Sequence, residues 1–356
     1  MYGNPDDLLC VGVEREISLP RARLLDAFED RSDGWSEPRN RIASMDPLAR
    51  EAVDLLHETY GRHEGHRAVH SKGTVCRGTF TATPDAARLT RAAHMQGEPV
   101  QVTTRFSNGA GNPASPDFVQ DGRGMATKFY LPDGSRTDIV ALNLPCFFVR
   151  TPEDFVKFTR AGKRLPLINQ PGPRFALYLA THREALPAVR AFLALKPPAS
   201  YARLRYNGLH AFRWVDADGG ERYVRYSWLP EAGEATISSG EAKHAGPDYL
   251  RRDLVEHLGR EPVRFTLEVQ VAGEGDPVAD PTAVWPQDRE TVAVGTLELT
   301  ELETGRDTGG DILVFDPTRL TDGIELTDDP IPRFRSQAYS VSVERRAGVP
   351  RPAELD

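Results

Sequence analysis

The sequence predicts an α+β fold, an antiparallel β-sheet or closed β-barrel with helices around it. Three observations predict it. Strand-like text falls in two blocks, the first over residues 73–150. A helical block over 151–197 separates it from the second. Nothing along the chain shows the alternating strand–helix rhythm with a GxGxxG turn that a doubly wound parallel sheet would need.

Taken in order, residues 1–72 read as largely helical. In "SMDPLAREAVDLLHETYG", Asp46 is placed to cap a helix and Pro47 to start it, and Leu48, Ala52, Leu55 and Leu56 share one face. The runs "GTVCRGTFTAT", "PVQVTTRFSN" and "GMATKFYLPDG" are β-branched and aromatic with partial alternation, so they read as strands. "TPDAARLTRAAH", between the first two, reads as a short helix, and Asp133-Gly134 is a turn signal. "TPEDFVKFTRAGKR" opens with Thr151 three residues before Asp154, a near capping box. "RFALYLATHREALPAVRAFLAL" continues the helical text up to the breaker "KPPAS". "LRYNGLHAFRWVDADGGERYVRYSWLP" reads as a hairpin turning at Asp218-Gly219-Gly220, and "VRFTLEVQVA" and "ETVAVGTLELTE" add strands. "DDPIPRFRSQAYSVSVERRAG" reads as a last helix. No internal repeat is visible. The organisation expected is an N-terminal helical segment over 1–54, a main domain over 55–346, and a loose tail over 347–356.

The bulk numbers exclude several classes. The 356 residues suit one large domain or two small ones. A formal net charge of -8 argues against a nucleic-acid surface, which needs a basic face. Cys10, Cys76 and Cys146 are few, odd in number and widely spaced, which speaks against a disulfide framework or zinc ribbon and for a reducing, cytoplasmic compartment. The N-terminal text reads as no signal peptide, and the most apolar stretch, "IVALNLPCFFV", is too short to span a bilayer. The expectation is therefore no nucleic acid and no membrane among the partners.

The chain has nine histidines, and four of them, His57, His63, His66 and His70, crowd into residues 57–70. Zinc would want HExxH on a helix or a cysteine set; here His57-Glu58 is followed by the next histidine six residues after His57, and Gly61 and Gly65 break the helix. His57, His63 and His66 are expected to be surface or loop residues. His70 stands at the entrance to the first strand, where a side chain can point into a barrel, and a single histidine in a dry pocket is a general-base candidate.

Four stretches in order carry a resemblance. "RAVHSKGTVCRGTF" resembles the distal-histidine segment of haem catalases. "VTTRFSNGAG", with Arg105 and Ser107, resembles the segment that follows. "DGRGMATKFYLPDGSRTDIVALNLPCFFVRTPEDF" resembles their next segment, with Asn143, Phe147, Phe148 and Phe155. "FDPTRLTDGIEL" and "RFRSQAYSVSVERR" resemble the proximal segment, an R-x-x-x-Y pattern made by Arg335 and Tyr339. The likeness spans most of residues 55–346. The short chain resembles the small catalase-related peroxidases.

The resemblance implies a catalase-like barrel with haem b (iron protoporphyrin IX) buried inside. It implies Tyr339 as the iron ligand, with Arg335 one helical turn earlier favouring the phenolate. It implies His70 as the acid–base group, Asn143 as a hydrogen-bond donor to the peroxide, and Ser107 as the holder of the second imidazole nitrogen. Arg67, Arg105 and Arg346 match positions that pair with the haem propionates, with Arg345 as the competitor for the last role. Phe155 and Val69 match residues that pack on the porphyrin. The activity implied is reduction of hydrogen peroxide or organic hydroperoxides through an oxyferryl intermediate. A small-molecule peroxide, an organic electron donor and a homo-oligomer are the partners it leaves room for.

Two departures stand out: Ser71 occupies a position where catalases commonly have alanine, and "LNL" surrounds Asn143 where "NNT" is common. With only Asn143 left of that polar trio the pocket edge is expected to be more apolar, and the shorter chain to leave a wider channel, which together leave room for bulkier peroxides or organic reductants. Open beside this reading are a haem-dependent isomerase or dehydratase of a fatty-acid hydroperoxide, a biosynthetic haem oxidase, and a haem-storage barrel, the last disfavoured by His70 and Asn143.

Overall fold

The computed structural model describes residues 46–163, 172–303 and 313–346. The helical text expected before Asp46, Cys10 and the tail over 347–356 lie outside the described residues.

Eight antiparallel strands close a barrel. They are β1 (Gly73–Ala82), β2 (Val100–Asn108), β3 (Arg123–Tyr130), β4 (Arg136–Leu142), β5 (Tyr206–Asn207), β7 (Glu221–Pro230), β8 (Val263–Val271) and β9 (Thr291–Leu302). Around the ring they run β7–β5–β4–β3–β2–β1–β9–β8, and β8 pairs back onto β7. β6 (Phe212–Val215) and β10 (Ile324–Leu326) extend the sheet from β7. The expected turn joins β3 to β4, with Gly134 at φ 84° supplying a conformation that costs other residues energy.

The helices are α1 (Pro47–Tyr60), α2 (Pro84–Leu89), α3 (Pro152–Ala161), α4 (Pro173–Thr181), α5 (Leu186–Leu193), α6 (Ser239–Ala245), α7 (Tyr249–Leu258) and α8 (Ile331–Arg346). Asp46 caps α1 by accepting from the Leu48 amide at 2.9 Å, and Thr151 caps α3 through the Asp154 amide at 3.1 Å. The long helical run predicted before "KPPAS" is two helices. Pro187 cannot continue a helix but can begin one, so α4 ends at Thr181 and α5 starts afresh at Leu186. α6 and α7 go beyond the sequence reading. α1 runs unbroken across residue 54 and packs on α3 and α8 through Ala49, Ala52, Leu55, Val156 and Phe334.

The barrel interior is full. Rings from strands that are not neighbours touch across it: Phe80 of β1 meets Phe129 of β3 at 5.2 Å and Trp228 of β7 at 6.1 Å, and Phe106 of β2 meets Phe265 of β8 at 6.0 Å. Fully burying such a side chain contributes about 1.5–3 kcal/mol, so this core holds the ring together. Strand alternation then sends the other residues of β1–β4 outward. On that outer face Gly73, Ser107, Gly124 and Leu142 form one cross-strand row, and Val75, Arg105, Ala126 and Val140 the next. Leu313 and Phe315 pack over the second row. Asp316 links the wall to α8, its amide donating to Asp138 of β4 at 2.8 Å and its carboxylate accepting from Ser336 at 2.6 Å.

Candidate active site

His70 lies three residues before β1, as expected, but its ring does not enter the barrel. Its Nδ1 sits 3.0 Å from Oγ of Ser107, an outward-facing residue, and against Gly124 in the same row. The correction has a simple cause: the interior is occupied by the aromatic core, so a reactive side chain finds space only between the outer wall and the covering helix. His70 adopts φ 54°, unusual for a residue with a side chain. Its amide bonds to the carbonyl of Gly109 at 3.0 Å and that of Ser71 to Ala110 at 3.1 Å, which pins the strained turn to the loop after β2.

The imidazole is closely surrounded by protein yet keeps some accessible surface. Burial, with Arg105, Arg335, Arg67 and Arg123 nearby, pushes its pKa down to about 3. The ring is therefore neutral at ordinary pH. A neutral imidazole has one donor and one acceptor nitrogen, so in the tautomer that gives Nδ1–H to Ser107, Nε2 is the acceptor. Asn143 follows β4, and its Oδ1 accepts from the Arg123 amide at 2.6 Å, so its NH2 donors are turned elsewhere. Arg123 is one residue from Gly124, which brings Asn143 and His70 to the same end of β3.

Nearby stands α8. Nε and Nη2 of Arg335 donate to the Tyr339 phenol oxygen at 2.9 and 2.7 Å, the i, i+4 pair expected. Arg335 is also close enough to His70 to bear on it electrostatically, so the two sets are neighbours. The segment holding His70 is tied to α8 directly, the Ala68 amide donating to Ser342 Oγ at 3.3 Å.

The chain of bonds behind Arg335 has no counterpart in the sequence reading. Its Nη1 donates to His210 Nε2 at 2.8 Å, and His210 Nδ1 lies 2.7 Å from Asp329 Oδ2. Burial holds the His210 pKa low against the pull of Asp329, so the ring is neutral and each nitrogen has one role: Nδ1 donates and Nε2 accepts. Asp329 Oδ1 also accepts the Ile331 amide at 2.9 Å, capping α8. His210 and Asp329 are both 1% exposed. Asp329→Ala is expected to destabilise the protein by about 3 kcal/mol, because it strands a buried donor and a helix amide, whereas Asp329→Asn keeps an acceptor and loses less. Urea unfolding of both variants checks this; equal midpoints would remove the link's importance.

The remaining expected residues have other partners. Arg105 is two residues before Ser107 on the outer face and donates to the Ser71 carbonyl at 3.1 Å. Arg67 donates to the Leu313 carbonyl at 2.6 Å, and Val69 lies between it and His70, partly buried. Phe155 of α3 packs 5.7 Å from Phe148 and 5.4 Å from Phe334. Arg345 is engaged by Asp54 of α1 at 2.7 Å and by His57 at 3.4 Å. Arg346 ends α8, two helical turns past Tyr339.

His63 and His66 are in an exposed loop segment, and each turns a ring nitrogen to a nearby carbonyl, of Tyr60 at 3.0 Å and Glu64 at 2.8 Å. Among the described residues the metal-competent group is elsewhere: Asp154, His182 and Glu184, with ligand atoms within 4.8 Å of one another and Lys157 already on Asp154 at 3.0 Å. Metal analysis of untagged protein is expected to find iron and little zinc. Stoichiometric zinc that disappears in a His63→Ala, His66→Ala double variant would reverse this.

A barrel whose outer wall carries an imidazole–hydroxyl pair opposite an arginine-held phenol has the geometry of the catalase class. A family model described as Catalase matches residues 54–351. A catalase-related peroxidase of Mycolicibacterium paratuberculosis is 47% identical over 310 residues, covering 85% of this chain and 96% of its own. Another, from Synechococcus elongatus, is 35% identical over 300 residues, 83% of this chain and 88% of its own. A catalase of Alkalihalophilus pseudofirmus is 31% identical over 377 residues, 96% of this chain but 55% of its own longer one. This chain belongs to the catalase family, in its subgroup of small catalase-related peroxidases, and is an oxidoreductase acting on peroxide with a haem cofactor. No helix of the described residues is long and apolar enough to cross a membrane.

Proposed function

We propose that this chain is a peroxidase with tyrosinate-ligated haem b, reducing hydrogen peroxide or organic hydroperoxides at the expense of an organic donor or a second peroxide. The observation that carries the reading is the doubly donated phenol oxygen of Tyr339. An oxygen accepting two guanidinium N–H bonds suits the negatively charged ligand of a ferric ion.

The surroundings fit a flat, dianionic macrocycle. The Tyr339 oxygen would hold the iron, and the His70 imidazole would serve the peroxide. Val75, Ala126, Val140, Leu313 and Phe315 make an apolar cluster on the outer face of the barrel. Arg67, Arg105 and Arg346 would take the propionates, and Val69 and Phe155 would pack on the ring faces. When bound, the haem supplies the electrons that cleave the O–O bond.

The chain's own residues do the rest. Asn143 orients the peroxide through its free NH2. His70 Nε2 takes the proton from one oxygen and returns it to the other, so that the leaving group departs as water or alcohol. Ser107 keeps the imidazole in the tautomer this requires. The absorption spectrum of the ferric protein tests the ligand. Oxygen release on adding hydrogen peroxide, set against oxidation of an aromatic donor, separates disproportionation from peroxidase turnover.

A further inference from the structure

We propose that Gly122 sets the size of peroxide this chain accepts, its missing side chain leaving a gap beside the Asn143 amide for the carbon substituent of an organic hydroperoxide. This rests on the function proposed above. Five glycines surround the distal residues, and at four of them a Cβ would crowd a neighbour. A Cβ on Gly73 would lie 2.6 Å from the Phe106 carbonyl oxygen, and on Gly111, 2.1 Å from the Ala68 carbonyl oxygen. On Gly124 it would lie 2.8 Å from Ser107 Oγ, and on Gly109, 2.7 Å from Asp121 Oδ1. Asp121 cannot easily yield, because the Ala110 amide holds its other oxygen at 2.7 Å.

Gly122 differs. Its φ is not positive, so the backbone suits any residue. Among the described residues, a Cβ there would meet Asn143 Oδ1 alone, at 3.9 Å. A side chain would fit, and the space it would fill adjoins the oxygen edge of the Asn143 carboxamide, on a half-buried stretch of chain.

The position is also where the chain passes from surface to interior. Val119 is 43% exposed, and Arg123 is 1% exposed. The rim between them is rigid. Gln120 Nε2 donates to the carbonyls at the end of α5, those of Phe192, Leu193 and Leu195, at 3.1–3.2 Å. Arg123 Nη2 donates to the carbonyls of Asp117 at 2.7 Å and Val119 at 3.2 Å. These bonds tie down the chain on both sides of position 122, so a side chain added there would narrow the space beside Asn143.

The reaction is the same for both substrates. ROOH takes two electrons from an aromatic donor and two protons, the O–O bond breaks, and ROH and water leave. Hydrogen peroxide, with R a proton, makes no demand on the gap. An organic hydroperoxide with its O–O bond at His70 and Asn143 must send R out past Gly122.

The test uses the haem-loaded full chain with Gly122→Ala, Gly122→Val and Gly122→Leu. The ratio of kcat/KM for cumene hydroperoxide to that for hydrogen peroxide should fall in that order, by about 10–200-fold across the series. Optical titration of the ferric protein gives a readout apart from turnover: affinity for 4-phenylimidazole should fall in the same order while that for cyanide holds. If the ratio and the phenylimidazole affinity stay level through Gly122→Leu, the size reading is overturned and the peroxidase reading stands. A wild-type protein that reduces hydrogen peroxide but rejects both cumene hydroperoxide and phenylimidazole would overturn it too. A wild-type protein that takes up no haem would bring down the proposed function and this inference together.

Discussion

Tyr339→Phe is expected to strip the protein of most of its haem and to abolish the spectrum of the ferric tyrosinate form. The substitution removes one oxygen and leaves the ring's packing on α8 in place, so the fold should survive. The two Arg335 donors that converge on that oxygen at 2.9 and 2.7 Å would then point at nothing. A graded comparison makes the result interpretable. Arg335→Lys keeps a positive charge but loses the fork that donates twice. It should weaken haem retention by about 10–100-fold, the usual cost of losing an outer partner of a metal ligand. Tyr339→Phe should exceed that. The measurement is haem content per chain with the Soret band of each purified variant. An unchanged spectrum at full occupancy in Tyr339→Phe would remove the ligand assignment.

His70→Ala is expected to keep its haem and to react with peroxide about 10²–10⁴-fold more slowly, the usual contribution of a positioned acid–base group. Haem retention follows because the proposed ligand is Tyr339 on α8. His57→Ala, His63→Ala and His66→Ala should leave the rate near that of the unmodified protein: His63 and His66 are bonded to carbonyls in an exposed loop, and His57 lies against Arg345. Stopped-flow mixing with peroxide, followed in the haem spectrum, compares all four. The pH profile adds a second check. Burial and the arginines hold the His70 pKa down to about 3, so the ring stays neutral and able to accept a proton above that value. The rate of the peroxide step should therefore be flat from about pH 5 to pH 8 and fall only as the pH approaches 3. A fall centred near 6.5 would mean an imidazole in an ordinary, solvated setting. A loss in His66→Ala equal to that in His70→Ala would move the acid–base role to the wrong histidine for this site.

Much of this was legible in the text of the chain because it depends on neighbours a few residues apart. The Asp46–Pro47 and Thr151–Asp154 starts, the Asp133-Gly134 turn and the Arg335–Tyr339 spacing are all settled within one turn of backbone. The capping box of α6 is equally local, Ser238 and Glu241 exchanging bonds at 2.8 and 3.1 Å, although the sequence reading placed no helix there. His210 and Asp329 could not be found this way. They stand 125 and 119 residues from the partners they hold, and nothing local distinguishes a buried relay histidine from a packed one.

The sequence by itself determined which residues alternate along each strand and which fall on one helical face, because those periods are properties of the backbone. It could not say which strand face would be inside, because a period of two produces two faces and labels neither. That choice was made by closure of the ring. Once β8 pairs with β7, the face bearing Phe80, Phe106, Phe129 and Trp228 has a core to fill, and the face bearing Arg105 and Ser107 is left for α8 to cover. His70, the proposed acid–base group, therefore sits against the outer face of the barrel wall, where Ser107 can meet it, instead of in the apolar core.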